Sequence, residues 1–394
     1  MGRIRRYLVG VALGTAVLAA AFVPLPVLVD AVSGSPAGDA ELSLPLSYVV
    51  TAPVSNLLDA LTQLSMDRAV SLLIVWVVVL VLMGVVRPGS RTRRIVRALV
   101  GAAVPFALAV AAVLLPRPVA RLVTRDSDVN VLDFHSHTAA SHDGRHGWTP
   151  ERVAAWHAAQ GFDAAYITDH NVPFDGSNDA AIPLLPGVEW SVYRQHIVAV
   201  GGLPLTDLAP YSRDTPGLLG MFAALHARGG IAIASLPEYW RNHWEDLDQF
   251  VAAGLDGFEI VNCAPKALEF PSADRQAVIA LAARHDLLVD GVSDNHGWGT
   301  ITCVWNLARE GSHGFRDNQV VARPLALAQG DLPAWDAAYT QPWLMLRALS
   351  WPERVSWLTW IALITIWRGT PRRKGQPRGL GILARSVGPR RSEV

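Results

Sequence analysis

Three long uncharged runs decide what the first third of this chain can become. Residues 7–29 (YLVGVALGTAVLAAAFVPLPVLV), 69–86 (AVSLLIVWVVVLVLMGVV) and 98–116 (ALVGAAVPFALAVAAVLLP) hold 23, 18 and 19 residues without a charge. A helix needs about 20 such residues to cross a hydrocarbon core of roughly 30 Å. Three runs of this kind with charged borders predict membrane spans.

The arginines orient them. Arg3, Arg5 and Arg6 precede the first run, and Arg87, Arg91, Arg93, Arg94 and Arg97 fill the short connection between the second and third. Segment 30–68 carries Asp30, Asp39, Glu41, Asp59 and Asp67 against Arg68 alone. Cationic ends stay in the cytoplasm, so the third span delivers the middle of the chain to the other side. A signal peptide cleaved near the alanines at 19–21 would leave that orientation unchanged. Near the C-terminus, residues 355–367 (VSWLTWIALITIW) give 13 uncharged positions among interfacial tryptophans, followed by an arginine-rich tail. A short fourth span is favoured there over a helix lying in the interface. The expected location is the plasma (inner) membrane, multi-pass, with the lipid bilayer as a partner and the middle of the chain extracytoplasmic.

Charge separates the same parts. Residues 126–343 carry 12 basic and 27 acidic side chains, a net of −15, and the flanks carry +15, so the formal zero of the whole chain hides two surroundings. All 12 histidines lie in the acidic middle. The expected division is a membrane region at 1–125, a soluble unit at 126–343, a spanning or interfacial helix at 344–370 and a basic, disordered tail at 371–394. With that net charge, and no glycine-rich phosphate cradle or basic aromatic surface, no nucleic acid is expected as a partner.

The middle alternates short apolar runs with amphipathic stretches. Strands are predicted at NVLDF (130), AAYIT (164), IPLLPGVEW (182), HIVAV (196), GIAIAS (230), GFEIV (257) and LLVDGVS (287). Thr149, Pro150 and Glu151 open a helix to about Gln160, Thr215 and Pro216 open another to about Arg228, and Ser272 starts a third to about His285. Strands alternating with helices predict parallel β/α units, and seven strands suggest a closed or nearly closed barrel with its site at the strand C-terminal ends.

Residues of metal-ligand type fall at those ends. His135 and His137 follow the first strand with Asp143 beyond them, Asp169 and His170 end the second, Glu189 ends the third, His196 begins the fourth, and Asp294 and His296 end the seventh. Glu259 lies within the sixth. Side chains at i and i+2 of a strand point the same way, so His135 and His137 can chelate together. Imidazoles mixed with carboxylates suit zinc, manganese or iron. Other residues have plainer readings: His157 as a packed or surface histidine, His146 and His313 without a role, Arg145 and Arg194 as exposed arginines or phosphate contacts. Cys263 and Cys303 could pair outside the cytoplasm, but their spacing does not show that they meet, and two buried thiols are the simpler expectation.

The motifs "DFHSHT", "ITDHN", "PGVEWS", "QHIVAVG" and "VSDNHG" together resemble those of the PHP family, named for polymerase and histidinol phosphatase, over about residues 129–300. The resemblance implies an α/β fold, a distorted (β/α)7 TIM-like barrel, carrying a two- or three-metal phosphoesterase site. One metal would take His135, His137, Glu189 and Asp294. A second would share Glu189 and take His196, and a third would take Asp143, His170 and His296, with His142 as an alternative to Asp143. The expected reaction is hydrolysis of a phosphomonoester or phosphodiester, on a phosphorylated small molecule or an envelope component. His196 or His296 would protonate the leaving oxygen, and Asp169 would orient His170 or a neighbour. One departure stands out: Leu236 occupies the place of a usual histidine after the fifth strand, with Glu238 or His243 as substitutes for the second metal. An amidohydrolase also begins its barrel with H-x-H, but the modified lysine many of them use has no counterpart, since Lys266 sits elsewhere. A non-catalytic metal-dependent binding or sensing domain is the third reading, made possible by Leu236.

Overall fold

A computed structural model describes residues 2–177, 180–192, 195–208, 215–243, 247–309 and 318–369. Arg194, His313 and the tail beyond 369 lie outside them, and the side chain of His243 is likewise not described. The chain begins with helix α1 (Gly2–Ala21), a short strand β1 (Val29–Asp30), β2 (Ala40–Ser43), then α2 (Leu46–Val50), α3 (Ala52–Thr62), α4 (Met66–Val86), α5 (Arg91–Leu114) and β3 (Arg121–Thr124). The middle runs β4 (Val129–Ser136), α6 (Pro150–Gln160), β5 (Ala164–Ile167), β6 (Leu184–Val192), β7 (Gln195–Val200), α7 (Thr215–His226), β8 (Ile231–Ala234), α8 (Leu236–His243), α9 (Leu247–Ala252), β9 (Gly257–Asn262), α10 (Ser272–His285) and β10 (Leu288–Val292). After it come β11 (Val304–Arg309), β12 (Asn318–Ala322), α11 (Pro324–Leu327), α12 (Ala337–Ala348) and α13 (Trp351–Gly369).

The result is a mixed α/β fold around one curled sheet of ten strands, in the order β1-β12-β11-β4-β5-β6-β7-β8-β9-β10. All seven predicted strands form, as β4 to β10. Their apolar residues are buried on both faces, as in β9, where every residue from Gly257 to Asn262 is buried. The sheet curls until its last strand meets β4: the Asp294 amide donates to the His135 carbonyl at 3.0 Å and the His137 amide to the Asn295 carbonyl at 3.2 Å.

Two expectations about the sheet need correction. The parallel order breaks at β7, which runs antiparallel to both β6 and β8. Only two residues separate β6 from β7, enough for a hairpin and far too few for a parallel crossover. Three strands not predicted from the sequence extend the other edge, where β11, β12 and β1 pair antiparallel beyond β4.

The apolar runs also differ in detail. The first does not form one long helix: α1 stops at Ala21, just before Pro24 and Pro26, and Val29 has already joined the sheet opposite Ala322. Helices α4 and α5 are long and apolar enough to cross a membrane. They pack antiparallel through small residues, where a Cβ on Gly84 would lie 2.8 Å from the backbone of Arg97 and Ala98, and one on Gly101 2.8 Å from that of Leu80. Helix α13, 19 residues long, lies antiparallel against α1, with Gly14 facing Leu358 and the Val17 carbonyl accepting from Arg354.

Two interactions tie the parts together. Arg68, buried in the first turn of α4, pairs with Asp336 at 2.8 Å and donates to Gln329, Thr340 and the Pro333 carbonyl. Cys263 and Cys303 form a disulfide, which corrects the expectation of two free thiols. It joins the loop after β9 to the start of β11, because the curl of the sheet brings these segments side by side. Closing a loop across 40 residues of sequence, it is expected to contribute about 2–4 kcal/mol. Denaturant midpoints measured with and without reductant check this; coincident midpoints would show it contributes nothing.

Candidate metal centre

The C-terminal ends of β4, β5, β6 and β10, together with the start of β7, bring eight imidazole and carboxylate side chains to one mouth. His135 and His137 project from the end of β4 with their Nε2 atoms 2.9 Å apart. Glu189 of β6 brings Oε2 within 3.1 Å of His135 Nε2 and 3.4 Å of His137 Nε2. Asp294 places Oδ1 3.1 Å from His137 Nε2, on a residue with the left-handed φ of 46°. That conformation is costly for a non-glycine residue and is found where surrounding structure enforces it.

Glu189 also faces a second group. His196 Nδ1 lies 2.5 Å from its Oε1, and His170 Nδ1 lies 2.9 Å from its Oε2. Asp143 faces the third, with Oδ1 3.2 Å from His296 Nε2 and Oδ2 3.6 Å from His170 Nε2. His142 is 77% exposed, 3.9 Å from the Asp143 carboxylate, so Asp143 is the member of that pair reaching both histidines. The donor atoms of His135, His137 and Asp294, of His170, Glu189 and His196, and of His137, His170 and His296 each converge within 4.8 Å.

Several His, Asp and Glu groups can therefore hold divalent cations. The fit is visible in the buried atoms: Glu189 Oε2, His170 Nδ1, His196 Nδ1, Asp294 Oδ1 and His296 Nε2 make no well-formed hydrogen bond while facing one another across a shared space. Buried lone pairs turned on each other are costly, and a shared cation removes the cost. Protons take part of that load without a metal. Burial lowers the pKa of His296, but the facing carboxylates of Asp143 and Asp294 outweigh this and push it up to about 9. Burial raises Glu189, and the neighbouring histidines overcome that to hold it well below the usual carboxylate range.

The groups behind the donors were only partly visible in sequence. Glu259 of β9, noted without a role, sets His135: its Oε1 lies 2.6 Å from His135 Nδ1, which turns Nε2 into the site. Ser235 and Asn262 donate to its other oxygen, and Asn262 also donates to Asp294 at 3.1 Å. Ser141 bonds His137 Nδ1 at 2.8 Å. Asp169 accepts from the Thr138 amide and hydroxyl, each at 2.6 Å, and its Oδ1 lies 4.0 Å from His137 Nδ1, so it holds the loop after β4 beside that histidine. His157 lies away from the site, buried against Asp133 at 2.8 Å. A carboxylate inside an otherwise apolar strand segment, GFEIV, is the signal that could have singled out Glu259. Replacing Glu259 by Gln is expected to weaken metal binding about 10–100-fold with every donor retained, as read by metal titration.

Leu236 is fully buried in the apolar core with Trp190, Ile197 and Phe258. Nearby, Glu238 pairs with Lys266 at 3.3 Å, and burial, Asp294 and Glu189 raise its pKa. Tyr239, missed in sequence, brings its hydroxyl to 3.4 Å from His196 Nε2.

No family model matches this chain, and no curated protein matches it. Among the solved structures similar to it is the crystal structure of a lesion-specific endonuclease, PfuEndoQ from Pyrococcus furiosus, at 11% identity and a TM-score of 0.34, covering 49% of this chain and 57% of that one. The chain thus spans little more than half the length of that neighbour. The exclusion of nucleic acid as a partner is withdrawn in view of this endonuclease: a net charge summed over a domain does not describe the field at one cleft lined with imidazoles and cation-holding groups.

Proposed function

We propose that this chain is a membrane-tethered, metal-dependent phosphoesterase of PHP type, with two or three divalent cations (zinc, manganese or iron) and its site on the extracytoplasmic side. The observation that carries the reading is the set of buried donor atoms turned on one another without hydrogen bonds. In this reading residues 126–343 form a TIM-like barrel, supported by the backbone bonds from Asp294 and His137 that link β10 back to β4. Residues 1–125 are its membrane region, 344–370 a further spanning or interfacial helix and 371–394 a basic tail.

His135, His137, Glu189 and Asp294 would hold one cation, Glu189 with His196 a second, and Asp143 with His170 and His296 a third. Cations there would supply the charge that polarises a phosphoryl group and makes water acidic near neutral pH. The protein's own part is to hold these donors rigid through Glu259, Ser141 and Asn262. A ring nitrogen of His196 or His296 not engaged by a cation can give a proton to the leaving oxygen.

Metal analysis of the purified full chain, with hydrolysis of generic phosphomonoesters, phosphodiesters and oligonucleotides, tests the activity. Stoichiometric metal with no hydrolysis anywhere in that panel would favour a binding or sensing domain. Orientation is tested by a reporter fused after residue 125, expected to be active only outside the cytoplasm; a cytoplasmic signal reverses the topology.

A further inference from the structure

The loops that carry the metal centre are the ones that touch the two apolar helices. On one side, Asp294 and His296 lead within a few residues to Trp298, 53% exposed, whose Nε1 donates to the Asp143 carbonyl at 3.1 Å. Two residues on, Thr300 Oγ1 donates to the Ala112 carbonyl of α5 at 3.1 Å. Ala112 lies inside the uncharged run 98–116, so this loop reaches a level within the apolar segment. Asp294 and Thr300 can stand no more than roughly 20 Å apart along the chain.

On the other side, His196 faces Tyr239, and Lys266 Nζ lies 4.4 Å from the Tyr239 ring. The preceding Pro265 carbonyl accepts from the amide of Met66, first residue of α4, at 2.8 Å, and Glu269 accepts from that of Asp67. The mouth of the site is thus flanked by contacts with both helices of the apolar pair. Its rim shows an exposed tryptophan, a residue that settles at headgroup level, with Arg145 6.0 Å from its ring, and the half-exposed Lys266, a cation suited to anionic headgroups.

We infer that the site takes its substrate at the membrane surface, and that the substrate class is a lipid-anchored phosphoester. The inference rests on the phosphoesterase reading above. In the reaction, water forms a new P–O bond, the P–O bond to the leaving alcohol breaks, and the proton released by water ends on that alcohol; nothing is oxidised or reduced.

The full chain, metal-loaded and reconstituted in vesicles, would be given three probes: phosphatidylglycerol in the same vesicles, the soluble diester bis(p-nitrophenyl) phosphate, and a single-stranded DNA oligonucleotide. Phosphatidylglycerol is expected to be hydrolysed. Trp298→Ala and Lys266→Ala are each expected to slow that reaction about fivefold more than they slow hydrolysis of the soluble diester. An independent readout is depth. Both native cysteines are in the disulfide, so Trp298→Cys gives one free thiol for a nitroxide. Its relative accessibility to oxygen and to a nickel chelate should put it at headgroup level. Hydrolysis of the soluble diester or the DNA with the lipid untouched, or a label at 298 in bulk water, overturns the membrane-surface inference and leaves the phosphoesterase reading standing. No hydrolysis of any probe by metal-loaded protein removes that reading, and this inference with it.

Discussion

His135→Ala and Asp294→Asn are each expected to lower phosphoester hydrolysis by about three orders of magnitude or more, with bound metal falling in parallel. Each removes a donor from the group formed with His137, and neither loss can be made good by a neighbour. His135 is fixed by Glu259 on one nitrogen and offers the other to the site, so alanine leaves Glu259 buried beside an empty space. Asn at 294 keeps the shape but loses the charge opposite His137. Losing a group that merely supports a ligand typically costs 10–100-fold, and losing the ligand itself costs more. Activity within tenfold of wild type in both variants, at saturating metal, would sink the site.

Arg68→Ala is expected to carry the largest stability cost of any single change outside the site, about 3–5 kcal/mol. Its guanidinium is buried at the start of α4 and satisfied by Asp336, Gln329, Thr340 and a backbone carbonyl, so alanine strands Asp336 without its cation. Removing Asp336 as well should restore part of the loss, because an unpaired buried charge costs more than an absent pair. Thermal unfolding of the single and double variants in detergent reads this directly. An Arg68→Ala protein within 1 kcal/mol of wild type would mean that α4 is not anchored through this residue.

Much of this organisation is legible in the chain because it follows from local patterns. The seven strands β4 to β10 show as short apolar runs bounded by turn residues, and α6 and α10 show through Thr149-Pro150-Glu151 and Ser272. The histidines and carboxylates stand out because they recur at strand ends. What stayed hidden depends on three-dimensional neighbours. HIVAV reads alike in either direction, and only the two-residue link before it, read as a length constraint, reveals a hairpin. The pairing of Cys263 with Cys303, the grip of Glu259 on His135 and the burial of Arg68 against Asp336 join residues far apart in sequence. The lone arginine in an acidic segment informed the topology argument, yet nothing in its neighbourhood pointed to its partner.

The short pairing of Val29–Asp30 with Val321–Ala322 sets an order of assembly. Strand β1 is synthesised almost 300 residues before its partner β12. At about 5–20 residues per second, it waits on the order of 15–60 s after emerging from the ribosome. Throughout that wait the segment after α1 has no edge to join. The ten-stranded order is therefore completed only once β12 has emerged, and a ribosome stalled before residue 318 should hold a chain in which β11 and β1 both lack the strand that joins them.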